Sequence, residues 1–171
     1  MFELSVTART LSLPDLYGGK FCAALDRQHP RDLFDVMLLF QNEGITDDIR
    51  KAFAVYLASH DRPMHELLNP SLKNVRRIYE NEFTGMTLDP VAYEDLIAAR
   101  DRLVATLRKK LTNDEREFLV SLKAGEPKWE SIGIAGVGKL PALQWKLTNI
   151  KKMEVKKQRE LLEKLKRVLE M

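Results

Sequence analysis

Proline placement constrains this chain more than any other feature. Pro14, Pro30, Pro63, Pro70, Pro90 and Pro141 each stand at or near the start of a stretch with helical periodicity. Proline is tolerated in the first turn of a helix, where its missing N–H has no intrahelical partner, and is excluded from helix interiors and central strands. The chain therefore reads as a series of short helices with repeated restarts. Ser12-Leu13-Pro14-Asp15 opens the first, expected to reach about Arg27. His29-Pro30 interrupts it, and a second helix from Arg31 carries Leu33, Phe34, Val36, Met37, Leu38, Leu39 and Phe40, apolar nearly all round and so central to the core, before Gly44 stops it. Thr46-Asp47-Asp48 caps a third helix. Asp61-Arg62-Pro63 and Asn69-Pro70-Ser71 restart shorter ones, and Asp89-Pro90 opens the longest, Val91 to about Lys110. Thr112 with Glu115 forms a capping box.

Two segments break this pattern. Phe2-Glu3-Leu4-Ser5-Val6-Thr7-Ala8 alternates apolar and polar residues with period two and reads as a strand. One strand cannot satisfy its own backbone, so a partner is required: a short second strand around Ile132 to Val137, a missing remainder of the sheet, or another molecule, which would favour a homo-oligomer built on the exposed strand edge. Gly125 to Gly138 reads as an ordered loop anchored by Trp129 and Ile132. Leu140-Pro141 then restarts a helix, and Ile150 to Met171 closes the chain as a basic amphipathic helix. The fold expected is mostly α, a multi-helix domain with one N-terminal β-strand. It divides into a helical body over 1–124 and a loop with basic helices over 125–171, packed as one domain.

With 171 residues, 44% hydrophobic and 31% charged, the chain has the material for such a core. No run approaches the roughly 20 apolar residues of a membrane span. The lone Cys22 and the absence of a signal-like N-terminus point to a reducing, cytoplasmic setting. The formal charge of +3 conceals two unlike parts: 16 Lys+Arg against 19 Asp+Glu over residues 1–122, and 12 against 6 over residues 123–171.

The residues that stand out chemically lie across the first helix break. Lys20 and Arg27 are seven apart and return to one helix face; Asp32 and Asp35 share a face at i, i+3, with Arg31 placed to pair with Asp35 at i, i+4. Gly18-Gly19 permits close approach of a backbone or ligand. Such a cluster can hold phosphate oxygens on its cations while carboxylates orient them. The same residues could equally act as an ion-pair network that only ties two helices together. Other candidates are weaker. His29, His60 and His65 are scattered and one cysteine supplies no ligand pair, so no metal site is expected. Cys22 sits among small apolar residues as a buried side chain. Gly136-Val137-Gly138-Lys139 fails the phosphate-loop spacing because Leu140 follows the lysine. Lys151, Lys152, Lys156 and Lys157 offer a possible RNA-backbone contact, against the alternatives of a docked surface helix and a partner-binding helix.

The run Leu16 to Arg27 followed by Pro30-Arg31-Asp32-Leu33-Phe34-Asp35 resembles the K-L-x-A…R…R-D-x-x-D signature of the AbiEii/AbiGii toxins, a nucleotidyltransferase-like family. Leu140-Pro141-Ala142-Leu143-Gln144-Trp145-Lys146-Leu147-Thr148-Asn149 is similar to the ending of many bacterial members. The resemblance implies a bacterial toxin linked to phage abortive infection, paired with a cognate antitoxin, using a nucleoside triphosphate (NTP) and Mg2+, with tRNA as target in some relatives. It implies that Lys20 holds triphosphate, that Asp32 or Asp35 is the motif's late aspartate, and that Arg27 and Arg31 contact phosphate or brace the site. Family members also carry a Gly-Ser motif and a D-x-D pair upstream of the lysine. This sequence contains neither, and 19 residues precede Lys20. The expectation is a C-terminal part of such a toxin, with the N-terminal strand as the last strand of its sheet, inactive alone. A helical binding or regulatory module that contacts an antitoxin, a toxin core or RNA is the alternative, and an inactive remnant a third.

Overall fold

The computed structural model describes residues 9–171. The strand expected over Phe2 to Ala8, and the oligomer built on it, lie outside the described residues. Within them the fold consists of nine α-helices and two 3-10 turns, with no strand.

The first three helices follow their caps. Helix α1 (Leu13–Arg27) starts where the Ser12 hydroxyl accepts the Asp15 N–H, with Pro14 in the first turn. Helix α2 (Pro30–Gln41) starts at His29, whose Nδ1 accepts the Arg31 N–H. Helix α3 (Asp47–Ser59) is capped by the Thr46 hydroxyl. Helix α1 lies against α3, and α2 lies against the long α6 (Tyr93–Lys110). Leu33, Val36 and Leu39 of α2 are sealed, while Phe34, Met37 and Phe40 are partly covered, as its apolar circumference requires. Phe21, Phe53 and Phe118 are the largest sealed side chains and join α1, α3 and α7 (Asn113–Ala124) into one core.

Helix α4 (Met64–Leu68) forms after Pro63, but Asn69-Pro70-Ser71 opens no helix; the chain stays irregular until α5 (Arg76–Glu82). The reason is tertiary. The buried Gln28 amide donates to the Ser71 carbonyl and accepts the Lys73 N–H, both at 2.9 Å, and Arg100 Nη1 donates to the Lys73 carbonyl at 3.0 Å. Those backbone groups are unavailable for a helical ladder. The same bonds hold Gln28 at φ 56°, a left-handed conformation uncommon for glutamine.

Ile132 to Val137 is not a strand. Two 3-10 turns, Trp129–Ile132 and Val137–Lys139, fold this loop back on itself, with left-handed Gly133 and Gly136 between them. Trp129 and Ile132 anchor it as expected: Ile132 is buried, Trp129 packs on Phe118, and Gly138 lies flat on the indole.

Helix α8 (Pro141–Lys151) buries Leu143 and Ile150, and α9 (Val155–Leu169) buries Leu165 and Leu169 against α7 and α4. The single helix expected from Ile150 onward is broken over Lys152, Met153 and Glu154. A straight helix over 141–169 would run about 44 Å and could not keep both apolar stripes on the body. Leu165 and Leu169 thus pack inward, and the lysines around the break face outward. No helix among the described residues is long and apolar enough to cross a membrane.

Candidate functional site

The site candidate is the α1–α2 hairpin. Gly18 sits where α1 crosses α3: a Cβ there would lie 2.8 Å from the Tyr56 ring and 3.0 to 3.1 Å from the backbone of Ala52 and Phe53. Only glycine permits this approach, which fixes the face of α1 that carries Lys20 toward α2. Because the two helices run in opposite directions, the earlier cation meets the later acid. Lys20 Nζ donates to Asp35 Oδ2, and one rung along, Arg27 Nη2 donates to Asp32 Oδ1 at 2.8 Å. Sequence spacing left the partner of Lys20 open between the two aspartates; the structure pairs it with Asp35.

Arg31 does not join this ladder. Instead of pairing with Asp35, its Nη2 reaches the Glu82 carbonyl at 3.4 Å, beside His29, whose Nε2 lies 3.3 Å from Glu82 Oε2. The early position of Arg31 on α2 points it toward α5, so it braces the hairpin from outside.

Lys20 and Asp35 are about one-third exposed, while the Arg27 side chain is 64% exposed. An ammonium carries three donors and a guanidinium five. Lys20 uses one on Asp35 and Arg27 one on Asp32, so both keep donors facing solvent. Asp32 Oδ2 is sealed from solvent without a hydrogen-bond partner. Tyr17, one turn before Lys20, belongs to the same surface. Burial chiefly, then the charges of Glu43 and Asp35, push its phenol pKa up, opposed by Lys20. Sequence reasoning missed Tyr17 although its i, i+3 relation to Lys20 is legible.

These residues suit a phosphate-bearing ligand better than a metal. The spare donors of Lys20 and Arg27 match anionic oxygens. Asp32 and Asp35 are each already committed to a cation, and no group of three potential metal ligands occurs among the described residues. Among the described residues, then, the hairpin supplies cations for an anion and not a ligand set for Mg2+.

The family model for the nucleotidyl transferase AbiEii toxin of type IV toxin–antitoxin systems matches residues 2–149. The chain belongs to this family. No curated protein and no solved structure matches it. The match spans the hairpin, the helical body and the Leu140 to Asn149 segment, and stops at the start of the basic tail. Membership in a toxin–antitoxin family implies a cognate antitoxin and a nucleotidyltransferase-like role.

The remaining candidates fall elsewhere. Burial pushes the Cys22 thiol up to about 12, as expected of a core cysteine. Lys151, Lys152, Lys156 and Lys157 are all exposed around the α8–α9 break, some on each helix.

Proposed function

We propose that this chain supplies the phosphate-binding half of a toxin nucleotidyltransferase site. In this reading Lys20 binds triphosphate oxygens of an NTP, Asp35 acts as a positioning residue that aims the ammonium, and Arg27, steadied by Asp32, adds a second phosphate contact. Arg31 is a brace between α2 and α5. The observation that carries the reading is the Lys20–Asp35 pair at the partly open face of the hairpin, with donors left over on Lys20 and Arg27.

Nucleotidyl transfer also draws on Mg2+, which supplies Lewis-acid stabilisation of the phosphoryl group. The carboxylates for that metal are not provided by these residues, so the 171-residue chain transfers no nucleotide on its own. The acceptor is RNA, with tRNA first among candidates, and Lys151, Lys152, Lys156 and Lys157 contact its backbone. The test incubates the pure chain with labelled NTPs, Mg2+ and tRNA. No labelled RNA is expected; label transfer that disappears in Lys20→Ala would overturn the claim of inactivity while keeping Lys20 in the site.

A further inference from the structure

We propose that, given a phosphate site at Lys20 and Arg27, the exposed stripe of α1 ahead of Lys20 is a nucleobase platform, with the Tyr17 ring as its stacking surface. Leu13, Leu16, Tyr17 and Lys20 stand at i, i+3, i+4 and i+7 and so share one side of the helix. The two ends of this stripe differ in chemistry. Its start is apolar and uncovered: Leu13 is 45% and Leu16 37% exposed, with Tyr17 half-buried beside them. Its later end carries Lys20 and, two turns on, Arg27, each with donors facing solvent. On the neighbouring α2, Leu33 and Leu39 are sealed, so the fold covers its leucines where it has material to do so. An uncovered apolar surface that runs directly into a cationic one fits an occupant with both characters.

A nucleotide has both, a flat apolar face at one end and anionic oxygens at the other. Along the helix axis Tyr17 stands about 5 Å before Lys20, and Arg27 about 10 Å after it. The base then lies toward Leu13 and the triphosphate toward Arg27. The opposite direction is closed, because the Ser12 hydroxyl accepts the Asp15 N–H and donates to the Asp15 carboxylate at 2.8 Å, which sets a negative charge at the start of α1. The ring is held ready for stacking. Tyr17 leans on the sealed Phe21, ring centroids 6.2 Å apart and tilted by 46°, and Phe21 packs in turn on Phe53 at 6.1 Å. A ring fixed in advance loses little freedom when a ligand settles on it. The Tyr79 hydroxyl donates to the Val91 carbonyl at 2.6 Å, whereas that of Tyr17 makes no hydrogen bond among the described residues. What Tyr17 offers is its ring. Leu13 and Leu16 carry no hydrogen-bonding side-chain groups, so the base is recognised by its face and not by its edge.

The experiment measures binding of ATP and of inorganic tripolyphosphate to the full chain and its variants. Tyr17→Leu should weaken ATP about five- to hundredfold, the range of one base–aromatic stack, and leave tripolyphosphate unchanged. Tyr17→Phe should bind both as the wild type does, and Lys20→Ala should weaken both. Equal effects of Tyr17→Leu on the two ligands overturn the platform and spare the phosphate site. ATP binding that responds to Tyr17→Leu but not to Lys20→Ala keeps the platform and removes the phosphate site; binding of neither ligand overturns both. In the wild-type chain the adenine protons of bound ATP should show nuclear Overhauser contacts with the Tyr17 ring, and their absence at saturation overturns the platform even where Tyr17→Leu fails to fold. Wild-type dimers that dissociate in Leu13→Gln, with no such contacts, would assign the stripe to a second copy of the chain instead.

Discussion

Adding one methyl group at each of two adjacent glycines should move stability in opposite directions. Both Gly18 and Gly19 lie inside α1 with ordinary helical φ, so alanine gains roughly 1 kcal/mol of helix propensity at either. At Gly19 the new Cβ would meet the Tyr56 ring at 3.5 Å, ordinary van der Waals contact, and the gain survives. At Gly18 it would press on the Tyr56 ring at 2.8 Å and on the α3 backbone at 3.0 to 3.1 Å. The ring can turn, but the backbone cannot, so α1 must lift from α3. Overpacking of this kind costs about 1 to 3 kcal/mol and, since it is backbone that is struck, the upper part of that range applies. The net expectation is a loss of about 1 to 2 kcal/mol for Gly18→Ala and a gain of up to about 1 kcal/mol for Gly19→Ala. For a chain of this length that is a fall of about 2 to 8 °C and a rise of about 2 to 4 °C in melting temperature. Thermal denaturation followed by circular dichroism reads both. Since Lys20 lies two residues on, Gly18→Ala should also weaken nucleotide binding. Shifts of the same sign for the two variants would refute the claim that a glycine-only crossing sets the position of the site.

Two further predictions concern the body. Arg50 is buried, with Nε 2.9 Å from both Glu115 oxygens and Nη1 2.5 Å from Asp47, while Glu115 also accepts the Thr112 N–H of the capping box. Glu115→Ala strands the guanidinium and removes half the cap; it should cost about 3 kcal/mol in urea unfolding, Asp47 offsetting part of the usual penalty, and a loss under about 1 kcal/mol would deny the pair its structural role. The pKa of His65 is depressed, by burial first and then by Lys164 and Lys123, against Glu66. The folded state then binds fewer protons than the unfolded state below the ordinary histidine value. Stability should fall as pH drops from about 6.5, and His65→Gln should flatten that limb of the melting-temperature profile; an unchanged slope would contradict it.

Local chemistry made much of this fold legible. Ser12, Thr46 and the Thr112–Glu115 box mark helix starts through bonds within three residues, so sequence alone reveals them. The shared faces of Lys20 with Arg27 and of Asp32 with Asp35 are legible for the same reason, since helical spacing places residues on faces, whereas the family signature they belong to is read by resemblance and not from spacing. Partners separated by long stretches of chain were not visible. Gln28 reaches Ser71 and Lys73, Arg50 reaches Glu115, and Lys110 reaches the Ile45 carbonyl, none of which has a periodic trace. Arg31 shows the limit clearly, since i, i+4 spacing allowed Asp35 and tertiary contact chose Glu82 instead. The break between α8 and α9 is equally silent, because Lys152, Met153 and Glu154 include neither proline nor glycine and the turn is imposed by docking of Leu165 and Leu169.

Equilibrium binding of a labelled NTP to the wild-type chain, Lys20→Ala, Asp35→Asn and Lys157→Gln puts the hairpin reading to its most direct test. Binding should be lost in Lys20→Ala, be weakened several-fold in Asp35→Asn because the ammonium is no longer aimed, and persist in Lys157→Gln. Binding that is indifferent to Lys20→Ala, or that disappears only with Lys157→Gln, would contradict a phosphate site on the α1–α2 hairpin.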